Sequence, residues 1–401
     1  MSLDQQLETR LAALRDQGLL RELRRVDSAQ GTRIQIAGQT LLNFSSNDYL
    51  GLANNPRLKQ AAVEALERFG VGAGASRLIC GSLSPHHELE EALANFKGTE
   101  AALTFSSGYA TAVGTLCALM GKDDVVILDK LVHACVVDAA KLSGAKLRVF
   151  AHNDPNDLEQ ILKWAGSRTV STPGATRHTL IVTESVFSMD GDCAPLRELV
   201  ALKDRYGAWL MVDEAHATGL YGERGQGLAG ELGVADRIEI QMGTLGKALG
   251  ASGGYIAGSR KLVDYLVNRA RSFVFSTAPS PAVAAAAAEA VLLIQRSEGE
   301  ALRQKLWQRV AEFSSASPKP QAPSLTAIIP HIVGEERKAV QSSAALRARG
   351  FFVPAIRYPT VARGAARLRI TLTAAHTAED VAALLRALAD LKSEISDLES
   401  P

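Results

Sequence analysis

Two short stretches of this chain set ionisable side chains among small residues at spacings that suit carbonyl and amine chemistry. In VDEAHATG, Asp213 follows an apolar run and His216 stands three residues on. In TLGKALGASGG, residues 244–254, Lys247 is flanked by Gly246, Gly250, Gly253 and Gly254. A carboxylate at the end of a buried strand must find a cation or several donors, because an unpaired buried charge is costly. A lysine amine can form a Schiff base, and glycines remove the side chains that would keep a flat ligand away from the backbone. Two more polar stretches follow apolar runs. SSGYATAVGTL, after AALTF, opens a helix with small residues, where unpaired backbone N–H groups and the helix dipole suit a phosphate. VFSMDGDCAPL, after TLIVTES, brings Ser188 and Asp190. Singly, each has an ordinary reading: a helix cap at Ser-Ser-Gly, turn chemistry at Ser188 and Asp190, a capping Asp213, a surface Lys247. Together they supply what pyridoxal phosphate requires: a helix N-terminus for its phosphate, an anion for its ring nitrogen and an amine for its aldehyde.

The elements that must position these residues are legible as alternating runs. Residues 1–25 read as an amphipathic helix ending in the basic RELRR, and RIQIAGQTLLNF reads as a short hairpin leading to the SSNDYLGL turn. From about residue 55 to 290, β-rich runs (AALTF, DVVILD, KLRVF, TLIVTES, AWLMVDEAH, IEIQMGT, GGYIAG) recur between helix-length segments. Strands this apolar imply a mostly parallel sheet covered on both faces, with its ligand at the carboxyl ends of the strands. PAVAAAAAEAVLLIQ is a strong helix suited to leaving one domain for another, and FSSASPKPQAPS a loop. AIIPHIV, FFVPAIRYPT and RLRITL then read as strands and AEDVAALLRALADL as a closing helix. The expected fold is α/β: an N-terminal arm over residues 1–50, a large domain with a mostly parallel sheet over 51–290, and a smaller C-terminal α+β domain over 291–401.

Composition excludes several classes of partner. Among 401 residues, 44 are basic and 43 acidic, so the net charge of +1 supplies no global field for nucleic acid or an anionic membrane. The cysteines, Cys80, Cys117, Cys135 and Cys193, lack CxxC spacing, which points to reduced thiols in a cytoplasmic protein and to no metal site. HHELEE, starting at His86, reads as a solvated helix start rather than a metal site. The glycines of GVGAGAS and GERGQG lack the strand-loop-helix context of a dinucleotide fingerprint, which argues against a nicotinamide dehydrogenase. MSLDQQLETRLAALRDQ carries no apolar signal region, and no uninterrupted apolar run is of membrane length.

Over almost its whole length the chain resembles the α-oxoamine synthases, pyridoxal-phosphate enzymes of fold type I that join an amino acid to an acyl thioester with loss of CO₂. The resemblance is carried, in order, by NFSSNDYLGL, FSSGYAT, SMDGD, VDEAHATGLYG, TLGKALGASGGYIAG and FVFST. It implies that Lys247 holds the cofactor aldehyde and moves the α-proton, and that Asp213 pairs with the pyridine nitrogen. It further implies that Ser188 and His216 bond the phenolic oxygen, and that His133 of KLVHACVVDAA stacks on the ring and faces the substrate. Gly108, Tyr109 and Thr244 contact the phosphate, and Ser276 and Thr277 reach the phosphate of a neighbouring subunit in a homodimer with shared active sites. Without the resemblance, His133 reads as a capping or core histidine.

Within the family, AIRYPTVARGAARLRITLTAAHT most resembles the branch that condenses L-alanine with a pimeloyl thioester, on CoA or a carrier protein, in biotin synthesis. There Arg357 stands three residues before Thr360, and Arg357 would hold the α-carboxylate. Tyr358 departs toward the branch that makes 5-aminolevulinate. Branches that acetylate glycine or condense serine with a palmitoyl thioester share the chemistry. Arg21 aligns with a substrate-contacting arginine and otherwise reads as part of a solvated basic face. A non-catalytic assembly subunit that had lost the chemistry is disfavoured by the presence of Asp213, His216 and Lys247.

Overall fold

The computed structural model describes residues 1–167, 177–316 and 326–398. The chain divides into two compact units. One comprises residues 1–46, 189–191 and 305–401, the other residues 47–188 and 192–304.

In the smaller unit, β1 (Arg33–Ile36) and β2 (Gln39–Asn43) pair as the expected antiparallel hairpin. Ala37 and Gly38, at its tip, both have positive φ, the conformation that matches a two-residue turn to the twist of its strands.

The larger unit holds seven strands: β3 (Ala101–Phe105), β4 (Val125–Asp129), β5 (Lys146–Phe150), β6 (Thr179–Glu184), β7 (Trp209–Asp213), β8 (Ile240–Thr244) and β9 (Gly254–Gly258). They form one sheet in the order β3-β9-β8-β7-β6-β4-β5. Pairing is parallel from β8 across to β5, while β9 runs antiparallel to both β3 and β8. Each parallel connection carries a helix, whereas β8 and β9 are joined by the short turn that bears Lys247, too short for a crossover. All five residues of β3, β4 and β9 are buried, which explains their apolar runs. Leu103, Val126, Val182, Met211 and Ile256 pack in one core with Leu116, Val136, Leu266 and Phe273. The edge strand β5 exposes Lys146 and Arg148, charges that discourage pairing with another chain. The alanine-rich helix Pro281–Ile294 packs on the helices Pro56–Phe69 and Ser84–Lys97.

Returning to the smaller unit, β10 (Ile328–Gly334), β12 (Ala355–Ile356) and β13 (Ala366–Thr371) form an antiparallel sheet in the order β10-β13-β12, while β11 (Phe351–Phe352) extends the hairpin in parallel beside β2. The helix Ala378–Leu398 ends the described chain.

Three local expectations change. The first helix covers only Leu3–Asp16, and RELRR lies beyond it in irregular chain: Gly18, at φ +66°, ends the helix in the left-handed region. FFVPAIRYPT yields two strands of two residues each in place of one, because Pro354 has no N–H to donate to a ladder. Phe313–Ala316 of the expected FSSASPKPQAPS loop complete the helix Ser297–Ala316, and its residues 317–324 lie outside the described residues. Among the described residues no helix is long and apolar enough to cross a membrane.

Candidate active site

The carboxyl ends of β6, β7 and β8 and the start of the helix after β3 gather the polar residues of the larger unit. Asp213 closes β7 and is buried, and its Oδ1 accepts the Ala215 N–H at 2.9 Å. Burial pushes its carboxyl up, the nearby Lys247 charge pulls it down, and the balance leaves it raised. The turn that follows is anchored from beneath. The buried Glu214 carboxylate accepts from the Lys97 ammonium and from the Ala229 N–H at 2.9 Å, and Lys97 also donates to the Gln226 carbonyl at 2.5 Å. Each charge of this pair is thereby matched, which is the condition for keeping ions out of water.

His216, also buried, joins two distant segments. Its Nε2 is 2.7 Å from the Lys247 amine and its Nδ1 is 2.5 Å from the Tyr49 hydroxyl. With Lys247 charged, Nε2 accepts, so Nδ1 carries the proton and donates to Tyr49. Lys247 itself rides a turn closed by Gly250 N–H to the Lys247 carbonyl at 2.9 Å and Ala251 N–H to the Leu245 carbonyl at 2.8 Å. Thr244 braces it, its hydroxyl donating to the Gly253 carbonyl at 2.9 Å and accepting the Gly246 N–H at 3.2 Å.

Two of the four glycines around Lys247, Gly250 and Gly254, have a reason besides the one the sequence suggests. A Cβ on Gly250 would stand 2.5 Å from the Ala53 nitrogen, and one on Gly254 would stand 2.8 Å from the Gly108 Cα. These glycines admit the chain's own backbone. Gly254 brings β9 against the N-terminus of the helix Gly108–Leu119, which Ser107 caps by accepting the Ala110 N–H at 3.1 Å. Tyr109 is exposed, its hydroxyl donating to Asp138 at 2.9 Å.

His133 caps the helix Ala134–Leu142, its Nδ1 accepting the Cys135 N–H at 3.2 Å. The neutral ring therefore carries its proton on Nε2, and burial holds its pKa below the ordinary value. Ser188 is buried in the loop after β6. These groups fit pyridoxal phosphate: a buried anion at a strand end, an amine within one hydrogen bond of a histidine, and a helix N-terminus kept narrow by Gly254.

Residues 39–388 match the model of the family described as aminotransferase class I and II. The curated relatives include an 8-amino-7-oxononanoate synthase of Geobacter sulfurreducens, 50% identical over 388 residues, covering 96% of this chain and 97% of that protein. The chain belongs to the class I and II aminotransferase family and, within it, to the α-oxoamine synthases. An 8-amino-7-oxononanoate synthase of Thermoanaerobacter pseudethanolicus is 44% identical over 393 residues, 97% of each chain. Among solved structures, a serine palmitoyltransferase from S. paucimobilis with a bound PLP-myriocin aldimine superposes with a TM-score of 0.89 at 27% identity, over 99% of this chain and 100% of that one. An 8-amino-7-oxononanoate synthase from Francisella tularensis gives 0.73 at 26% identity, over 90% and 99%.

The remaining candidates of this α-oxoamine synthase lie in two places. Ser276 and Thr277 are at the surface of the larger unit, Thr277 bridged to Ser76. Arg21, Arg357 and Thr360 come together in the smaller unit: Arg21 reaches the Thr360 hydroxyl at 3.5 Å, and Arg357 donates to the carbonyls of Gly18 and Leu20. Burial and the charges of Arg21 and Arg24 lower the Arg357 pKa. His86 is a capping residue, its Nδ1 accepting the Leu83 N–H at 3.2 Å and its Nε2 bonded to the Pro279 carbonyl.

Tyr49 and Glu184 escaped the residue-by-residue reading. Tyr49 gave no signal beyond its place in SSNDYLGL. Glu184 carried the signal that singled out Asp213, a carboxylate ending an apolar strand.

Proposed function

We propose that this chain is an 8-amino-7-oxononanoate synthase, condensing L-alanine with a pimeloyl thioester and releasing CO₂. The observation that carries this reading is identity of 44–50% with synthases of that name across nearly the whole chain, together with a larger unit whose site fits the cofactor. Bound pyridoxal phosphate supplies an aldehyde for amines and a ring that accepts electrons from the α-carbon.

The residues divide the remaining work. Lys247 would hold the aldehyde and serve as the base for the α-proton; His216, one hydrogen bond away, would take part in setting its protonation. Asp213 keeps the ring nitrogen protonated by presenting an anion that the protein has already desolvated. His133, fixed by its capping bond, offers an Nε2–H toward ring and substrate. Ser188 and His216 bond the phenolic oxygen, and Gly108, Tyr109 and Thr244 attend the phosphate. Arg357 takes the α-carboxylate, with Arg21 and Thr360 as further substrate contacts; a cavity of about 190 Å³ lined in part by Arg24, Arg347 and Arg357 supports an anionic ligand there. Tyr358 lies under the Arg363 guanidinium, 4.3 Å from ring centroid to carbon, which ties it to a surface neighbour.

A homodimer with shared active sites completes the proposal. Val71, Leu78, Ile79 and Phe275 are 78%, 50%, 78% and 71% exposed on segments that the Ser76–Thr277 bridge brings together. Apolar side chains grouped in this way suit a second copy of the chain, with Ser276 and Thr277 reaching its phosphate. The protein would work in the cytoplasm.

A panel of amino acids against acyl thioesters, with products identified by mass, tests the reading. Alanine with a pimeloyl thioester should outperform glycine with succinyl-CoA, glycine with acetyl-CoA and serine with palmitoyl-CoA. One methyl group discriminates by only about 1–3 kcal/mol, so glycine should be used poorly rather than refused. A preference for glycine with succinyl-CoA would overturn it in favour of aminolevulinate formation.

A further inference from the structure

Three strands that lie side by side, β6, β4 and β5, end in loops that meet on His152 and Asn153, the second and third residues after β5. The His152 ring is bound at both nitrogens: Nδ1 donates to the Asp129 carboxylate at 2.9 Å and Nε2 to the Asp192 carboxylate at 2.7 Å. With a carboxylate oxygen at each nitrogen, both carry protons and the ring is cationic. Asn153 repeats the link. At φ +55° its N–H donates to the other Asp129 oxygen at 2.9 Å, and its side-chain amide donates to Asp192 at 2.9 Å and to the Cys193 carbonyl at 3.1 Å.

Each aspartate in turn governs a loop of the site. Asp129 ends β4 and is buried; its carboxylate also accepts the Leu131 N–H at 2.8 Å and its carbonyl the Val132 N–H at 3.3 Å, which turns the chain toward His133. Asp192 lies opposite Phe187 after β6: Val186 bridges Cys193 in antiparallel fashion, and the Phe187 N–H donates to the Asp192 carbonyl at 2.9 Å. Ser188 is the next residue. The His152 and Phe187 rings meet edge to face, their centroids 4.4 Å apart. A cation between two acids in a half-buried place costs desolvation that an apolar filler would avoid. What it supplies instead is a directed, charge-assisted bond to each of two loops.

We propose that His152 and Asn153 are positioning residues for the cofactor: together they clamp the loop that leads to His133 against the loop that bears Ser188, through Asp129 on one side and Asp192 on the other. The proposal rests on the roles given above to His133 and Ser188. His152 and Asn153 touch neither ring nor substrate in this scheme; they act through the two loops.

The test compares the wild type with Asp192→Ala, which takes the acceptor from both arms at once, and with Asp192→Asn, which keeps an accepting oxygen. In cofactor-free protein, hydrogen exchange at the Phe187 amide should accelerate by about tenfold more than at the amides of β7 in Asp192→Ala, and stay near wild type in Asp192→Asn. Pyridoxal phosphate binding should weaken by about tenfold in Asp192→Ala, with a diminished visible circular dichroism of the bound cofactor, and be restored in Asp192→Asn. Phe187 exchange that rises no more than that of β7 overturns the clamp, as does an Asp192→Asn variant as impaired as Asp192→Ala. Loosened exchange with wild-type affinity and dichroism overturns the positioning role. If Asp192→Ala does not fold, Asn153→Gly takes its place: glycine keeps the positive φ while one arm is lost, so Phe187 exchange should rise by about threefold, and an unchanged rate overturns the clamp. A wild type that binds no pyridoxal phosphate would overturn the cofactor roles instead, and exchange at Phe187 would still report on the clamp.

Discussion

The strand-end residues of the larger unit and the arginine cluster of the smaller unit are held in different ways. Asp213, Glu184 and Thr244 sit on strands whose register fixes each side chain against its neighbours, and His216 and Lys247 follow within a few residues. Arg21 and Thr360 are exposed, and Arg357 is held by backbone carbonyls of an irregular segment. A sheet buried on both faces gives polar residues at its ends little freedom, so chemistry that needs preorganisation belongs there. Arginines on loops keep rotamer freedom and suit recognition of an anion that arrives from solvent.

If that contrast is right, damage should grade from the strand ends to the loops. Lys247→Ala should lose turnover by a thousandfold or more, on the order expected when a nucleophile and base vanish together. Borohydride reduction should fix pyridoxal phosphate to Lys247 in the wild type and to nothing in the variant; a peptide map showing another lysine would break the assignment. Beneath the same turn, Lys97→Ala leaves Glu214 buried without its cation and should cost about 3–5 kcal/mol of unfolding free energy, read by urea denaturation. Asp213→Asn should lower kcat by roughly a hundredfold or more while KM for alanine changes little, because the lost anion acts on the ring and not on substrate capture. Arg357→Ala should instead raise KM for alanine by about tenfold and move KM for the acyl donor less. Equal effects of these two variants on KM would erase the contrast.

The most gradual effect sharpens it. His152 bridges Asp129, at the end of β4, and Asp192, at 2.9 and 2.7 Å. Burial opposes its charge, but the hydrogen bonds to Asp129 and Asp192 prevail and raise its pKa to about 10. A raised pKa stabilises the fold fully below the unfolded value of about 6.5, and that stability fades as the pH climbs to about 10. Wild type should lose roughly 4 kcal/mol more than His152→Gln between pH 6 and 10 in urea titrations. Parallel curves would show that the bridge carries no charge.

Lys247, Asp213 and His216 were legible in the chain because residue type and local spacing express their chemistry: each follows an apolar run that can only be a buried strand. The same runs predicted the seven central strands, since apolar continuity records burial on both faces. Residue order does not state which strands become neighbours. The order β3-β9-β8-β7-β6-β4-β5 puts Glu184 beside Asp213, and folding brings Tyr49 onto His216 across 167 residues of sequence. Gly250 and Gly254 looked like room for a ligand, yet their close neighbours are backbone atoms of Leu52, Ala53 and Gly108 and the Thr111 hydroxyl, which no local pattern reveals. Burial periodicity is a local property written in each segment, whereas contacts between strand ends depend on sheet order and turn geometry, which only the packed chain decides.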